Sequence, residues 1–210
     1  LRGRAVHMQG DDRASSYLRT ALKDAAEKTK TADRRIFIET VKEVDAALGL
    51  EETRVLVEEI QTSAGAPVWI GLGLASLELS AADYAAVVHR LGRLEYKVYR
   101  LPAADQATFY GMYGEALDET GQQDLAAAAF DHLVRVDPDD PNARHRLAMI
   151  LAESDREEDR AAAVERAQQA VALRPANPRF LDTLGWALFR TGRVAEARDK
   201  LEASLRTGAT

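Results

Sequence analysis

The feature that most constrains the fold is an internal repeat in the second half of the chain. The segments YGMYGEALDETGQQDLAAAAFDHLV and LDTLGWALFRTGRVAEARDKLEASL align without a gap, so that Gly114 matches Gly185 and Gly121 matches Gly192. The sequence between them carries the same skeleton if three extra residues are allowed within the polar stretch 154–160. A period of about 34 residues is typical of solenoids, in which each unit buries its apolar face against its neighbours.

Each unit reads as a helix, a short turn and a second helix. Pro138 and Pro175 close the second helix of a unit, and Pro141 and Pro178 open the next helix, because proline is tolerated in the first turn of a helix. The predicted repeats span residues 107–140, 141–177 and 178–210.

Gly185 lies inside a predicted helix, where glycine weakens the helix by about 1 kcal/mol relative to alanine. With the preceding Leu184, the turn glycine, Ala197 and the closing proline of the other units, the pattern resembles the tetratricopeptide repeat. The resemblance implies an all-α fold, a right-handed α-solenoid of helix-turn-helix repeats. It also implies that Gly114 and Gly185 let the paired helix approach closely.

The first half of the chain carries a weaker form of the pattern. The aromatic, leucine and glycine pattern appears again as Trp69, Leu72 and Gly73. Ala85 lies where a second helix needs a small residue, and Ser80 replaces the turn glycine. Residues 1–102 are therefore expected to form about three divergent helical hairpins.

Helix ends can be placed within this divergent half. We expect the second helix of the hairpin that holds Trp69 to run from Ala82 to about Arg100. Upstream, Thr31 caps a helix through Leu48, which Gly49 ends before a helix from Glu51 to about Ser63. Residues 1–21 resemble the end of a further repeat, so we expect the chain to be a piece of a longer array.

Composition excludes several functional classes. The net charge of −6 is spread along the chain and disfavours a nucleic-acid partner, and no apolar run is long enough to span a membrane. The absence of cysteine excludes disulfides and cysteine-ligated zinc. The four histidines stand apart, and neither a nucleophile elbow nor a phosphate-binding loop is present, so we expect no metal, no cofactor and no catalytic residues.

The resemblance also implies a binding surface, because the first helices of tetratricopeptide hairpins line a concave groove. The candidate partner-binding residues are Glu115, Asp118, Asn142, His145, Met149, Arg179, Asp182, Trp186, Phe189 and Arg190. Trp186, Phe189 and Arg190 are of the types that dominate protein interfaces. Alternatively, Trp186 and Phe189 pack on a following repeat. Leu74 and Leu77 either extend the groove floor or pack in the core.

Some tetratricopeptide proteins hold the terminal carboxylate of chaperone tails with a clamp of Lys, Asn, Asn, Lys and Arg. The corresponding positions here are Gly111, Glu115, Arg146, Arg179 and Thr183. Both asparagines are missing, so a chaperone-tail co-receptor is disfavoured.

The sequence favours a non-enzymatic scaffold that binds a peptide, a helix or a partner domain in its groove. Residues 174–197 resemble repeats of bacterial cell-envelope proteins, including exopolysaccharide-export scaffolds, which favours a periplasmic or envelope location. Two alternatives stay open. The repeats could recruit substrate for a larger enzyme or secretion machine, or the solenoid could self-assemble through its ends.

Overall fold

The computed structural model describes residues 34–61 and 68–208 and four single positions nearer the amino terminus (16, 20, 21 and 24). The two described ranges form eleven helices and the turns that join them. They are α1 (Arg34–Leu48), α2 (Leu50–Gln61), α3 (Val68–Ser80), α4 (Tyr84–Gly92), α5 (Glu95–Val98), α6 (Ala103–Glu119), α7 (Gln123–Val136), α8 (Pro141–Glu153), α9 (Glu157–Leu173), α10 (Pro178–Arg190) and α11 (Val194–Gly208). The chain divides into two compact units, Leu1–Leu101 and Pro102–Thr210.

The second unit consists of three stacked helical hairpins, α6–α7, α8–α9 and α10–α11. Helix α7 packs against α8 and α9 packs against α10, so each second helix covers the first helix of the next hairpin. Helix α8 also contacts α10 directly. The first helices of the last two hairpins therefore lie side by side.

The close approach expected at the packing glycines is confirmed. A methyl group added at Gly185 would lie 2.6 Å from Cγ of Leu201 and 3.2 Å from the carbonyl oxygen of Ala197. One added at Gly114 would lie 3.0 Å from the Phe130 ring. The loss of helix propensity at these glycines is thus offset by direct contact between the two helices of a hairpin.

Small side chains also fill the junction between the last two hairpins. Six alanines lie among the nine buried residues of this core cluster. These residues are Ala148, Ala152, Ala163, Val164, Ala167, Leu184, Ala187, Leu188 and Ala197. The alanine-rich composition of the chain is therefore used to bring helices close together, because small residues leave little side-chain bulk between two helix axes.

Three hairpin turns share one backbone geometry. Ala82, Gly121 and Gly192 have φ values of 58°, 76° and 78°. In each turn the following residue donates its backbone N–H to the carbonyl oxygen five residues earlier, at 2.8 to 2.9 Å. The turn position expected at Ser80 is wrong, because Ser80 still belongs to α3 and the left-handed residue is Ala82.

This shift changes which residues of the divergent hairpin make the close helix contact. Gly185 precedes the turn residue Gly192 by seven positions. The residue seven positions before Ala82 is Ala75, so Ala75 rather than Gly73 is the equivalent of Gly185. Ala75 is fully buried. On the facing helix α4, the position equivalent to Ala197 is occupied by Val87, which is fully buried. Ala85, which was expected at this position, is exposed.

The helix expected from Ala82 to about Arg100 is interrupted. It forms as α4 and the single-turn helix α5, separated by a turn after Gly92. In that turn the N–H of Leu94 bonds to the carbonyl oxygen of Leu91 at 2.8 Å, and the Leu94 side chain is buried. Glycine weakens the helix locally, and burial of Leu94 favours the tighter turn.

In the first unit, α1 ends at Leu48, and Gly49 follows it with φ of +91°, as expected. Val41 and Val44 are fully buried. Leu74 and Leu77 are also buried, which places them in the core rather than on a groove floor. The expected cap at position 31, the end of the following helix near position 63 and the partial repeat before position 21 lie largely outside the described residues.

A buried ion network, which was not predicted from the sequence, crosses the first unit. Glu78 is fully buried and accepts two hydrogen bonds from the Arg90 guanidinium, at 2.8 and 2.9 Å. Arg54 donates a third at 3.1 Å, and Arg90 also bonds Gln61 and Glu58 at 3.1 Å. The network ties α2, α3 and α4 together and compensates the buried carboxylate.

Candidate functional site

The candidate groove residues lie on the first helices of the three hairpins of the second unit. The repeat alignment places Glu115 of α6, Met149 of α8 and Trp186 of α10 at equivalent positions. All three are partly exposed, with 45% of Met149 and 40% of Trp186 open to solvent. This row is therefore exposed to solvent along the face of α6, α8 and α10, here named the groove face.

Trp186, Phe189, Arg190 and Glu153 form a contiguous surface, here named the Trp186 cluster. The Trp186 and Phe189 rings stack with centroids 5.6 Å apart and an interplanar angle of 28°. Trp186 donates its indole N–H to Oε1 of Glu153 at 2.7 Å, and Arg190 donates to Oε2 at 2.6 Å. Since Glu153 belongs to α8, the preceding hairpin fixes the orientation of the aromatic pair.

Equivalent positions indicate which way the two rings face. Met149, the equivalent of Trp186, stays exposed although another hairpin follows it. Ala152, the equivalent of Phe189, is fully buried in the junction with the next hairpin. The Trp186 position therefore lies in the exposed row with Met149, and the Phe189 position lies at the edge where hairpins stack.

A loosely held charge group lies at the α6 side of the same face. Arg146 is 3.6 Å from Glu115 and 3.7 Å from Asp118, both beyond hydrogen-bond length. Their side chains are 24% to 39% exposed. Such pairs contribute little to stability, because solvent screens them.

Next to this group the face opens into a cavity of about 500 Å³ between α6 and α8, here named the groove cavity. Small residues of α6 make the room, namely Ala107, Thr108 and Gly111. Phe130 and Leu133 of α7 give it apolar walls. Its rim is charged and carries Glu115, Asp137, Asp140, Arg146 and Arg179.

His145 lies in the wall of the groove cavity and is only 4% exposed. Its Nδ1 lies 2.9 Å from the Thr183 hydroxyl, which itself donates to the carbonyl oxygen of Arg179. The proton of the histidine bond therefore belongs to Nδ1, and Nε2 has no partner within the described part of the chain. Burial, with the positive charges of Arg179 and Arg146, lowers the pKa of His145 to about 4. The ring is neutral at pH 7 and is buried, whereas the sequence placed it among the groove-facing side chains.

The remaining candidates, Asn142, Arg179 and Asp182, are exposed. Within the described ranges, Arg179 and Asp182 make no side-chain hydrogen bond or ion pair, and both side chains face solvent. Sequence reasoning missed Glu153, although the repeat alignment sets it at the position of Arg190, on the last turn of a first helix.

Across residues 34–61 and 68–208, no group of three or more histidines and acidic residues is placed to hold a metal ion. None of the helices in these ranges has both the length and the hydrophobicity needed to cross a bilayer.

Comparison with known proteins adds to this geometry. Residues 107–140 match a family model described as the tetratricopeptide repeat. No curated protein matches the chain by sequence.

Several solved structures share the fold. A structure of MamA MSR-1 has a TM-score of 0.67 and 17% sequence identity, and the alignment covers 91% of this chain and 97% of that one. MamA from Desulfovibrio magneticus RS-1, residues 41 to the end, has a TM-score of 0.66 and 17% identity, with 85% and 97% covered. The MamA D159K mutant has a TM-score of 0.64 and 18% identity, with 94% and 99% covered. These likenesses confirm the predicted fold class, an all-α solenoid of helical hairpins, and within that fold residues 107–140 match the tetratricopeptide repeat.

Proposed function

We propose that the chain is a protein-interaction scaffold, in which the face of α6, α8 and α10 docks a segment of a partner protein. The observation that carries the proposal is the Trp186 cluster. The Trp186 ring, stacked on Phe189, is held 40% exposed in the row with Met149 by a carboxylate of the neighbouring hairpin, although burial would remove apolar surface from water. Aromatic and arginine side chains supply most of the binding energy at protein interfaces.

The groove cavity supports the same proposal. It adjoins Glu115, the equivalent of Met149 and Trp186 on α6, and it combines apolar walls with a charged rim. Pockets of this composition bind side chains of a docked segment, since the apolar walls contribute affinity and the polar rim contributes orientation. A place in bacterial envelope assembly or export rests only on the resemblance of residues 174–197 to envelope proteins.

A capture experiment tests the scaffold role. The chain and a double variant, Trp186→Ala with Phe189→Ala, are used as bait in lysate of the source cell, after circular dichroism shows that both are folded. We expect a partner that the parent retains and the double variant loses. The control is Leu125→Ala on α7, which removes a side chain 54% exposed outside the groove face and should leave capture unchanged. Equal capture by all three baits would contradict the proposal.

Self-association is a second candidate, because one exposed leucine occupies a stacking position. Leu205 of α11 is 75% exposed, whereas its equivalent Val134 in α7 is 8% exposed beneath the following hairpin. A helix from a second molecule could cover this surface. Sedimentation velocity over a range of concentrations tests it: self-association through Leu205 predicts a mass that rises with concentration and becomes monomeric in Leu205→Glu.

A further inference from the structure

The groove face carries more negative than positive charge, once internal pairs are set aside. Glu153 is matched by Arg190, at 2.6 Å. Arg146 stands between two carboxylates, Glu115 and Asp118, so one negative charge is in excess there. The buried His145 adds no positive charge, because its pKa lies near 4.

The charged residues without an ion-pair partner also make the net charge of the groove face more negative. Asp137, at the rim of the groove cavity, and Asp182, on α10, are exposed, and their carboxylates have no hydrogen-bond or ion-pair partner within the described ranges. On the same face, Arg179 is also exposed, and its guanidinium has no hydrogen-bond or ion-pair partner within the described ranges. A segment that binds here therefore meets an excess of carboxylates. At the cavity itself, three carboxylates (Glu115, Asp137 and Asp140) stand against two guanidiniums (Arg146 and Arg179).

The cavity also has the shape that a long cationic side chain requires. Phe130 and Leu133 line it with apolar surface, and Gly111 leaves the floor open, since an added methyl group there would meet only Leu133, at 3.8 Å. Lysine and arginine pack their aliphatic stems on apolar walls and keep the charged head near polar groups. Glu115 and Asp137 can receive that head at the rim.

From this charge balance and shape, and on the basis of the proposed docking role, we infer that the partner segment is basic and amphipathic. It places apolar side chains on Met149 and Trp186 and inserts a lysine or arginine into the groove cavity beside Glu115 and Asp137. Charge complementarity then sets the orientation of the segment, and the aromatic surface supplies the contact area.

Selection from random peptides displayed on phage tests the inference, with the full chain as bait. We expect the enriched peptides to carry lysine or arginine close to leucine or aromatic residues. For a synthetic enriched peptide, Glu115→Lys combined with Asp137→Lys should weaken binding by about tenfold or more, and binding of the parent should weaken as salt rises. Gly111→Leu should block the cavity, whereas the matched control Gly111→Ala should bind as the parent does.

The outcomes separate this inference from the proposed function. Enriched peptides that need Trp186 but are acidic or uncharged, or that bind the charge-reversed and Gly111→Leu variants normally, would overturn the basic-segment inference and leave the docking role standing. If every enriched peptide binds Trp186→Ala as well as the parent, the docking role itself fails, and this inference fails with it.

Discussion

At the scale of single residues, the stability of a hairpin depends on how closely its two helices approach at one position. Gly185 sits against Leu201 and the backbone of Ala197 at distances that leave no space for a methyl group. Gly111 also lies inside a first helix, but it faces the open cavity. The same substitution at these two positions therefore separates packing from helix propensity.

We predict opposite effects for the two glycines. Gly185→Ala should lower the free energy of unfolding by about 1 to 3 kcal/mol, because overpacking outweighs the gain in helix propensity. Gly111→Ala should raise it by roughly 0.5 to 1 kcal/mol, since its nearest new contact is at 3.8 Å. Urea unfolding followed by circular dichroism measures both, and shifts of the same sign would refute the packing role of Gly185.

The packing role of Gly185 could be predicted from sequence because its cause is local. A glycine inside a strongly periodic helix needs a reason, and a close helix pair supplies one. The left-handed turn at Ala82 could not be predicted, since alanine rarely adopts a positive φ. Gly73, two residues before the true packing position at Ala75, was therefore matched to Gly185 instead.

At the scale of elements, the first unit is held by charges as well as by apolar packing. Glu78 of α3 is fully buried between Arg54 of α2 and Arg90 of α4. A lone glutamate in an apolar run, VWIGLGLASLELS, does not indicate its partners, because they lie 12 and 24 residues away in sequence. Tertiary contact, rather than local pattern, determines this network.

Removing the buried carboxylate should strongly destabilise the first unit. Glu78→Leu leaves the Arg90 guanidinium buried without its main acceptor, which should cost about 3 to 5 kcal/mol. The double variant Glu78→Leu, Arg90→Met should lose clearly less than the sum of the two single losses, because the residues are coupled. Denaturant unfolding of the parent, the two single variants and the double variant gives this coupling free energy. Additive losses would show that Glu78 and Arg90 are not coupled.

The second unit should lose stability in mild acid through His145 of α8. Its pKa is about 4 when folded and about 6.5 when unfolded, so the stabilisation is complete above pH 6.5 and declines as the pH falls toward 4. Between pH 7 and pH 5 the parent should lose about 2 kcal/mol more than His145→Gln, which has no group to titrate there. Equal losses in urea unfolding at the two pH values would contradict the buried, neutral state of His145.

At the scale of the whole molecule, repetition explains both the fold and the site. Periodic leucines, turn glycines and prolines predict the hairpins of the second unit, and the repeat alignment predicts which residues share a face. Exposure could not be predicted in the same way, because it depends on the neighbouring hairpin. Met149 and Ala152 lie on the same helix, yet one is exposed and the other is fully buried.

The central claim is that a partner segment docks on the face of α6, α8 and α10. The most direct test places the photocrosslinking residue benzoylphenylalanine at position 149 in one chain and at position 198 in another, then irradiates each in lysate. Met149 lies in the row with Trp186, whereas Arg198 is exposed on the second helix α11. We expect one protein to crosslink to position 149, to fail to crosslink to position 198, and to be lost when Trp186→Ala is added. Crosslinks of equal yield at both positions, unaffected by Trp186→Ala, would contradict the claim.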